Sequence, residues 1–255
     1  MHAHFELAEL AADLLARIRE RAPRVNCITN SVAQQYTANM LLAAGAVPSM
    51  TISPEEIGFF VASADAVLIN LGTFDIERSS AIDVAVRTAI EKRSPWLVDP
   101  VFIDRSPARA RFGREILDRR PSVLRLNHAE FAALSEREAD SESVARFAQA
   151  HATDVALTGR VDIVTDGGRS TSVANGHPLM GTVTAMGGAG SALVCAALAV
   201  ETDAWLATLA ALAAFGVAGE VAAQRAQGPG SFAAAMIDAL QGMDRGTLQA
   251  RVKTS

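Results

Sequence analysis

Two stretches of this chain carry residue types that could handle phosphate. Residues 184–191 read Thr-Ala-Met-Gly-Gly-Ala-Gly-Ser and run into 192–198, an apolar stretch of strong helix formers without Pro or Gly. A small-residue turn that opens a buried helix aims several backbone N–H groups at one point, with the positive end of the helix dipole behind them. Such a point suits a phosphate, or the charge that builds up during phosphoryl transfer. Gly187 and Gly188 are the centre of this expected anion hole, and no side chain within the turn can take a proton. The same glycines would also serve as a turn that lets helices pack closely.

The second stretch is Arg125-Leu126-Asn127-His128-Ala129-Glu130, with a cation, an amide and a carboxylate just after a strand candidate. Asn127 and Glu130, three apart at a helix start, share one face of its first turn. Glu130 could hold a hydrated Mg2+, which takes oxygen ligands and keeps several waters. The spacing equally fits a capping box, with Asn127 as N-cap, and the two roles are compatible. His128 reads as a surface residue. Asp99, followed by Pro100, is a candidate second acidic contribution to a metal–phosphate site, although Asp also caps turns. Asp104 lies in an expected loop, and Arg105, Arg109 and Arg111 read as a solvated face.

Positioning these residues falls to a regular alternation of helix and strand. Leu7, Leu10, Ala11, Leu14, Leu15 and Ile18 have the spacing of an amphipathic helix, which Pro23 closes. A short strand over 25–28 leads to the polar Thr29-Asn30-Ser31 turn, which is expected to cap a helix over 33–44 that ends at Gly45. Extended segments follow over 47–52, 66–70, 96–99, 122–126, 154–158, 161–165 and 170–174. Helices are expected over 54–64, 76–92, 109–119, 129–134, 142–150, 191–200, 205–225 and 231–240. Short apolar strands alternating with helices imply an α/β fold, a mostly parallel sheet covered on both faces, in one domain over 1–255. Ligands in such sheets bind beyond the carboxyl ends of the strands. Polar groups mark four of those ends: Asn70 to Thr73, Asp99, Arg125 to Asn127, and Thr158 with Gly159.

Composition narrows the classes. The 255 residues are 50% apolar and only 5% aromatic, so the core is built from small side chains. A net charge of −5 argues against nucleic acid, which needs a basic face. Cys27 and Cys195 are too few for a disulfide framework, match no metal spacing, and read as buried thiols. The N-terminus is unlike a signal peptide, and no apolar run reaches the ~20 residues of a membrane span without Gly or a charge. A soluble cytoplasmic protein is expected, with no membrane partner.

Several motifs, taken in order, carry a resemblance. They are Val25-Asn26-Cys27-Ile28-Thr29-Asn30, Gln35-Tyr36-Thr37-Ala38-Asn39, Ala46-Val47-Pro48-Ser49-Met50, Leu68-Ile69-Asn70-Leu71-Gly72-Thr73 and Leu97-Val98-Asp99-Pro100-Val101. Ala156-Leu157-Thr158-Gly159 with Val161-Asp162, Asn175-Gly176-His177-Pro178-Leu179-Met180 and Gln227-Gly228-Pro229-Gly230-Ser231-Phe232 complete them. Together they resemble the hydroxyethylthiazole kinases of the ribokinase-like superfamily, from about residue 25 to 235. The resemblance implies a three-layer α-β-α fold and ATP-dependent phosphorylation of the hydroxyl of 4-methyl-5-(2-hydroxyethyl)thiazole in thiamin salvage. It also implies a homotrimer with thiazole pockets between subunits. By position, Asn30, Val32 and Met50 fall where the family lines the thiazole pocket, with Ala185 at a substrate-contacting backbone position. Arg125 and Thr158 fall where it contacts ATP, Glu130 in its Asn-x-x-Glu metal motif, and Gly187 and Gly188 in its anion hole.

The chain departs from that pattern at defined points. Gly188 stands where the family has a Cys or Asp facing the substrate hydroxyl. Leu126 and His128 replace small residues ahead of the glutamate, Phe102 to Arg105 replace a Gly-rich segment, and Arg160 replaces a Glu. Leu126 and Phe102 are expected to crowd the nucleotide region. Two other functions stay open on these residues: a non-catalytic thiazole-binding homologue, and a kinase for another small alcohol.

Overall fold

Eight strands join edge to edge: β1 (Arg24–Ile28), β2 (Val47–Ser49), β3 (Ala66–Asn70), β4 (Trp96–Asp99), β5 (Val123–Asn127), β6 (Asp154–Thr158), β7 (Asp162–Thr165) and β8 (Ser170–Val173). The computed structural model describes residues 2–254. The strand order is β2-β1-β3-β4-β5-β6-β7-β8, parallel through β6, after which β7 and β8 are added antiparallel. Eleven helices are described: α1 (His2–Arg21), α2 (Gln34–Ala44), α3 (Ile57–Ser63), α4 (Ile76–Lys92), α5 (Pro107–Leu117), α6 (His128–Ser135), α7 (Ser141–His151), α8 (Met186–Leu198), α9 (Ala204–Ala223), α10 (Pro229–Gln241) and α11 (Arg245–Arg251).

Successive strand residues point to opposite faces of a sheet, and here both faces are covered. Val25, Cys27, Leu68, Leu97, Val123 and Ala156 enter one apolar layer with α1, α2, α8, α9, α10 and α11. Ile28, Val67, Ile69, Val98, Leu124 and Leu157 enter the other with α3 to α7. The result is the expected three-layer α/β arrangement. Strand parity then decides the site. Asn70, Asp99, Arg125 and Thr158 each follow a residue of the first layer by two, so all four face the α8 side at the carboxyl ends of their strands. Registration places Asn70 beside Asp99 and Asn127 beside Thr158.

Side-chain caps fix many of the helix starts. Asp75, Ser106, Asn127, Asp140, Asp203 and Asp244 each accept a backbone N–H from the first turn that follows. Among the described residues α9 is the one helix long and apolar enough to cross a membrane, and it is mostly buried in the first layer. It packs against α1, α8 and α10. Cys27 and Cys195 are both buried, as expected.

Three local expectations are corrected. α8 begins at Met186, not at 191, so Gly187, Gly188 and Gly190 are helical rather than a turn. The helix is buried against α2 and α9, and glycine is needed at 190 because a Cβ there would come within 3.2 Å of both the Phe215 ring of α9 and the Arg125 guanidinium. Helix burial there outweighs the ~1 kcal/mol penalty of a helical glycine. Second, Thr29 to Ser31 do not cap α2, whose N-cap position is Ala33 with no side-chain bond. The Asn30 carboxamide oxygen instead accepts from Val32 N–H (3.1 Å) and the Thr73 hydroxyl (2.9 Å). Third, α11 and the short 3-10 turns at Ile103–Arg105 and Pro178–Thr182 were not expected.

Candidate active site

The start of α8 is where the sequence-derived residues converge. Ala185 precedes it with φ of 73°, in the left-handed region, and no side chain caps the helix. Ala189 N–H already bonds back to the Ala185 carbonyl at 2.8 Å. Among the described residues nothing accepts from the N–H groups of Gly187 or Gly188. These two amides are the free donors that a helix N-terminus offers to an anion.

Arg125 is anchored against this turn. Its Nη1 donates to the Gly187 carbonyl at 3.0 Å and to the Ser191 hydroxyl at 3.2 Å. Ser191 in turn donates to Asp99 Oδ2 at 2.8 Å. Burial pushes the Asp99 carboxyl above its ordinary range, while the Arg125 charge and bonds from Ser191 and Asn70 pull it back. A fully buried carboxylate is thus held opposite a guanidinium whose Nε still lacks a partner.

Glu130 does what the capping-box spacing implies. Its Oε2 accepts from Asn127 N–H at 2.9 Å, and Asn127 Oδ1 accepts from Glu130 N–H at 3.0 Å. Its Oε1 accepts from Phe102 N–H at 3.0 Å, which ties the loop after β4 to α6. Burial raises its affinity for a proton, and the neighbouring Asp99 and Asp104 charges raise it further. Carboxylates that disfavour one another's charge suit a divalent cation. No group of three or more acidic, imidazole or thiol side chains among the described residues could cage a bare ion. The donor set therefore fits a hydrated Mg2+ that keeps its waters and takes phosphate oxygens.

A cleft of about 530 Å³ opens beside the turn, lined by Arg125, Thr158, Gly187 and Asp162 at one end and Leu212, Phe215 and Gly216 at the other. Asp99, Gly188 and Glu130 do not line it. Asn30, Val32 and Met50 stand apart from it as well: Val32 is 70% exposed, and Met50 packs partly against the first apolar layer. The expected crowding by Leu126 and Phe102 is not found. Leu126 is buried in the layer on the opposite face of the sheet, and Phe102 lies outside the cleft, half exposed beneath the Arg105 guanidinium. Phe102 sits at φ 59°, a conformation that glycine adopts at less cost. Arg109 is not simply solvated, since its Nη1 donates to the Val101 carbonyl at 3.1 Å. Ser191 and the apolar end of the cleft escaped the sequence reading; helical phase from Gly187 (four residues) would have found Ser191.

Comparison with known proteins decides the family. The model of the hydroxyethylthiazole kinase family matches residues 15–245. The chain belongs to the hydroxyethylthiazole kinase family. A probable hydroxyethylthiazole kinase of Agrobacterium fabrum is 43% identical over 94% of this chain and 92% of its own length. The solved hydroxyethylthiazole kinase structure from Pyrococcus horikoshii superposes with a TM-score of 0.92 at 37% identity, covering 97% of this chain and 98% of that one. A ribokinase-like superfamily protein of Enterococcus faecalis shares the fold at a TM-score of 0.70 and 13% identity, over 89% of each chain. The hydroxyethylthiazole kinase fold is thus the ribokinase-like three-layer one, and this chain is a kinase of that family.

Proposed function

We propose that this chain transfers the γ-phosphoryl group of ATP to the hydroxyl of 4-methyl-5-(2-hydroxyethyl)thiazole, as in thiamin salvage. The observation that carries the reading is the pair of uncommitted amides at Gly187 and Gly188, of which Gly187 lines the cleft beside Arg125 and Gly188 follows it in the same helical turn. Donors fixed before the reaction lower the cost of stabilising charge that develops on the transferring group. Arg125 and Thr158 serve the nucleotide, whose flat base suits the Leu212 and Phe215 end. Asn30, Val32, Met50 and the Ala185 backbone serve the thiazole. Glu130 and Asp99 are the residues that would hold a hydrated Mg2+, and the ion would supply charge neutralisation of the phosphates.

Arg125 reaches the phosphates already oriented by the Gly187 carbonyl and Ser191, which keeps its entropy loss small. Gly188 offers no base. In a loose transition state the nucleophile needs little activation, so the alcohol proton leaves to solvent or a phosphate oxygen. Forgoing general-base assistance costs on the order of 10²-fold or more in rate, which positioning and charge stabilisation can absorb. The chain works as one kinase domain, in the cytoplasm, and as a homotrimer. The exposure of Val32 (70%), Phe59 (80%) and Ile76 (86%) in a single copy supports assembly. Incubation with Mg-ATP and the thiazole alcohol should yield the thiazole phosphate; no product above a protein-free blank refutes the proposal.

A further inference from the structure

Thr29 follows β1, and Thr37 lies in the first turn of α2; both are fully buried. Neither hydroxyl oxygen has a hydrogen-bond partner among the described residues. They aim at one place: a Cβ built on Gly188 would lie 3.7 Å from Thr29 Oγ1, 3.8 Å from Thr37 Oγ1 and 3.9 Å from Asn70 Nδ2. Asn70 is held in that orientation because its Oδ1 accepts from Gly72 N–H at 3.0 Å. The space next to Gly188 is therefore lined by polar atoms of three elements, while Gly187, the residue before it, lines the cleft.

A buried hydroxyl without a partner destabilises a fold, and valine would fill the same volume without that cost. Two such hydroxyls facing one spot beside the amide pair point to a polar atom that arrives with a ligand. The three nearest polar atoms are neutral, which suits a neutral hydrogen-bonding group. Threonine hydroxyls can both donate and accept, as can an alcohol. We propose that Thr29 and Thr37, with the Asn70 amide, seat the acceptor's primary hydroxyl beside Gly188, which puts no side chain between them and the amide pair. The oxygen is then held next to the Gly187 and Gly188 amides. This inference rests on the alcohol-kinase reading above, and it makes Gly188 a determinant of how the acceptor is bound.

The test combines turnover, calorimetry and thermal melting on T29V, T37V, their double variant and G188A. Each Val variant should lose about 10-fold in kcat/KM for the alcohol, with the KM for Mg-ATP unchanged. Their melting temperatures should hold or rise, because an orphaned hydroxyl has been removed. G188A, whose Cβ meets only ordinary contacts, should fold normally and also lose acceptor turnover. In calorimetry the wild type should prefer the thiazole alcohol to 5-ethyl-4-methylthiazole, which lacks the hydroxyl, and the double variant should not. Val variants with kcat/KM within about twofold of wild type, or with activity lost only in step with stability, overturn the seat. A wild type that phosphorylates nothing refutes the kinase reading instead. The seat is then decided by calorimetry alone: equal affinity for the two thiazoles, or binding of neither, overturns it.

Discussion

Arg125 joins the two halves of the site. It bonds the Gly187 carbonyl and Ser191 while its charge supports the buried Asp99 carboxylate. Removing the half-buried guanidinium takes a charge from near the buried Asp99 carboxyl and a donor from Ser191 and the Gly187 carbonyl, a loss of about 1–3 kcal/mol. R125M is therefore expected to lower stability by about that amount in urea unfolding and to reduce kcat/KM for ATP at least 100-fold. R125K should recover part of the stability but little of the activity, since an ammonium spent on the Gly187 carbonyl and Ser191 leaves no second nitrogen for the phosphates. A different residue contributes a separate pH response. Burial, together with the charges of Asp166 and Asp203, pushes Asp154 up to about 7, against a partial offset from Arg169. A carboxyl raised on folding stabilises the protein below its unfolded pKa, and that contribution is lost as pH rises from about 4 through 7. D154N should thus melt about 3 °C higher than wild type at pH 8 and nearly alike at pH 4, with the two curves diverging across that window.

At the scale of elements, Glu130 holds two of them together. Its oxygens satisfy Asn127 N–H at the start of α6 and Phe102 N–H in the loop after β4. E130A should cost about 2 kcal/mol, from a broken cap and a stranded amide, besides any loss of Mg2+ dependence. If stability is untouched while activity falls, Glu130 is a metal contact alone and the coupling is wrong. Much of this site was legible in the order of residues. Short apolar runs bounded by turn residues mark the strands, so Asn70, Asp99, Arg125 and Thr158 fall at strand ends, while their shared face emerges only from the sheet. The start of α8 was not legible, because a run with Gly187, Gly188 and Gly190 has poor local helix propensity. Its burial against α2, α9 and the sheet makes it helical. Thr29 and Thr37 were equally silent, since nothing local distinguishes an unpartnered hydroxyl from a bonded one.

Over the whole molecule, the sheet brings residues from 29 to 191 to one edge, while several apolar side chains remain outside. Val32, Phe59 and Ile76 are each at least 70% exposed in one copy. Light scattering is expected to give three times the monomer mass. I76K should shift the protein toward monomer and, because the thiazole pocket is proposed to lie between subunits, raise the KM for the alcohol more than that for ATP. A fully active monomer would remove the assembly from the proposal.

Phosphoryl transfer here depends on the amides of Gly187 and Gly188 meeting the transferring group. The direct measurement is a crystal structure with Mg-ADP, aluminium fluoride and the thiazole alcohol. The expected result places fluorides about 3 Å from the N–H groups of both glycines, with Arg125 alongside. A mimic bound elsewhere, with these amides turned to protein carbonyls, would contradict it.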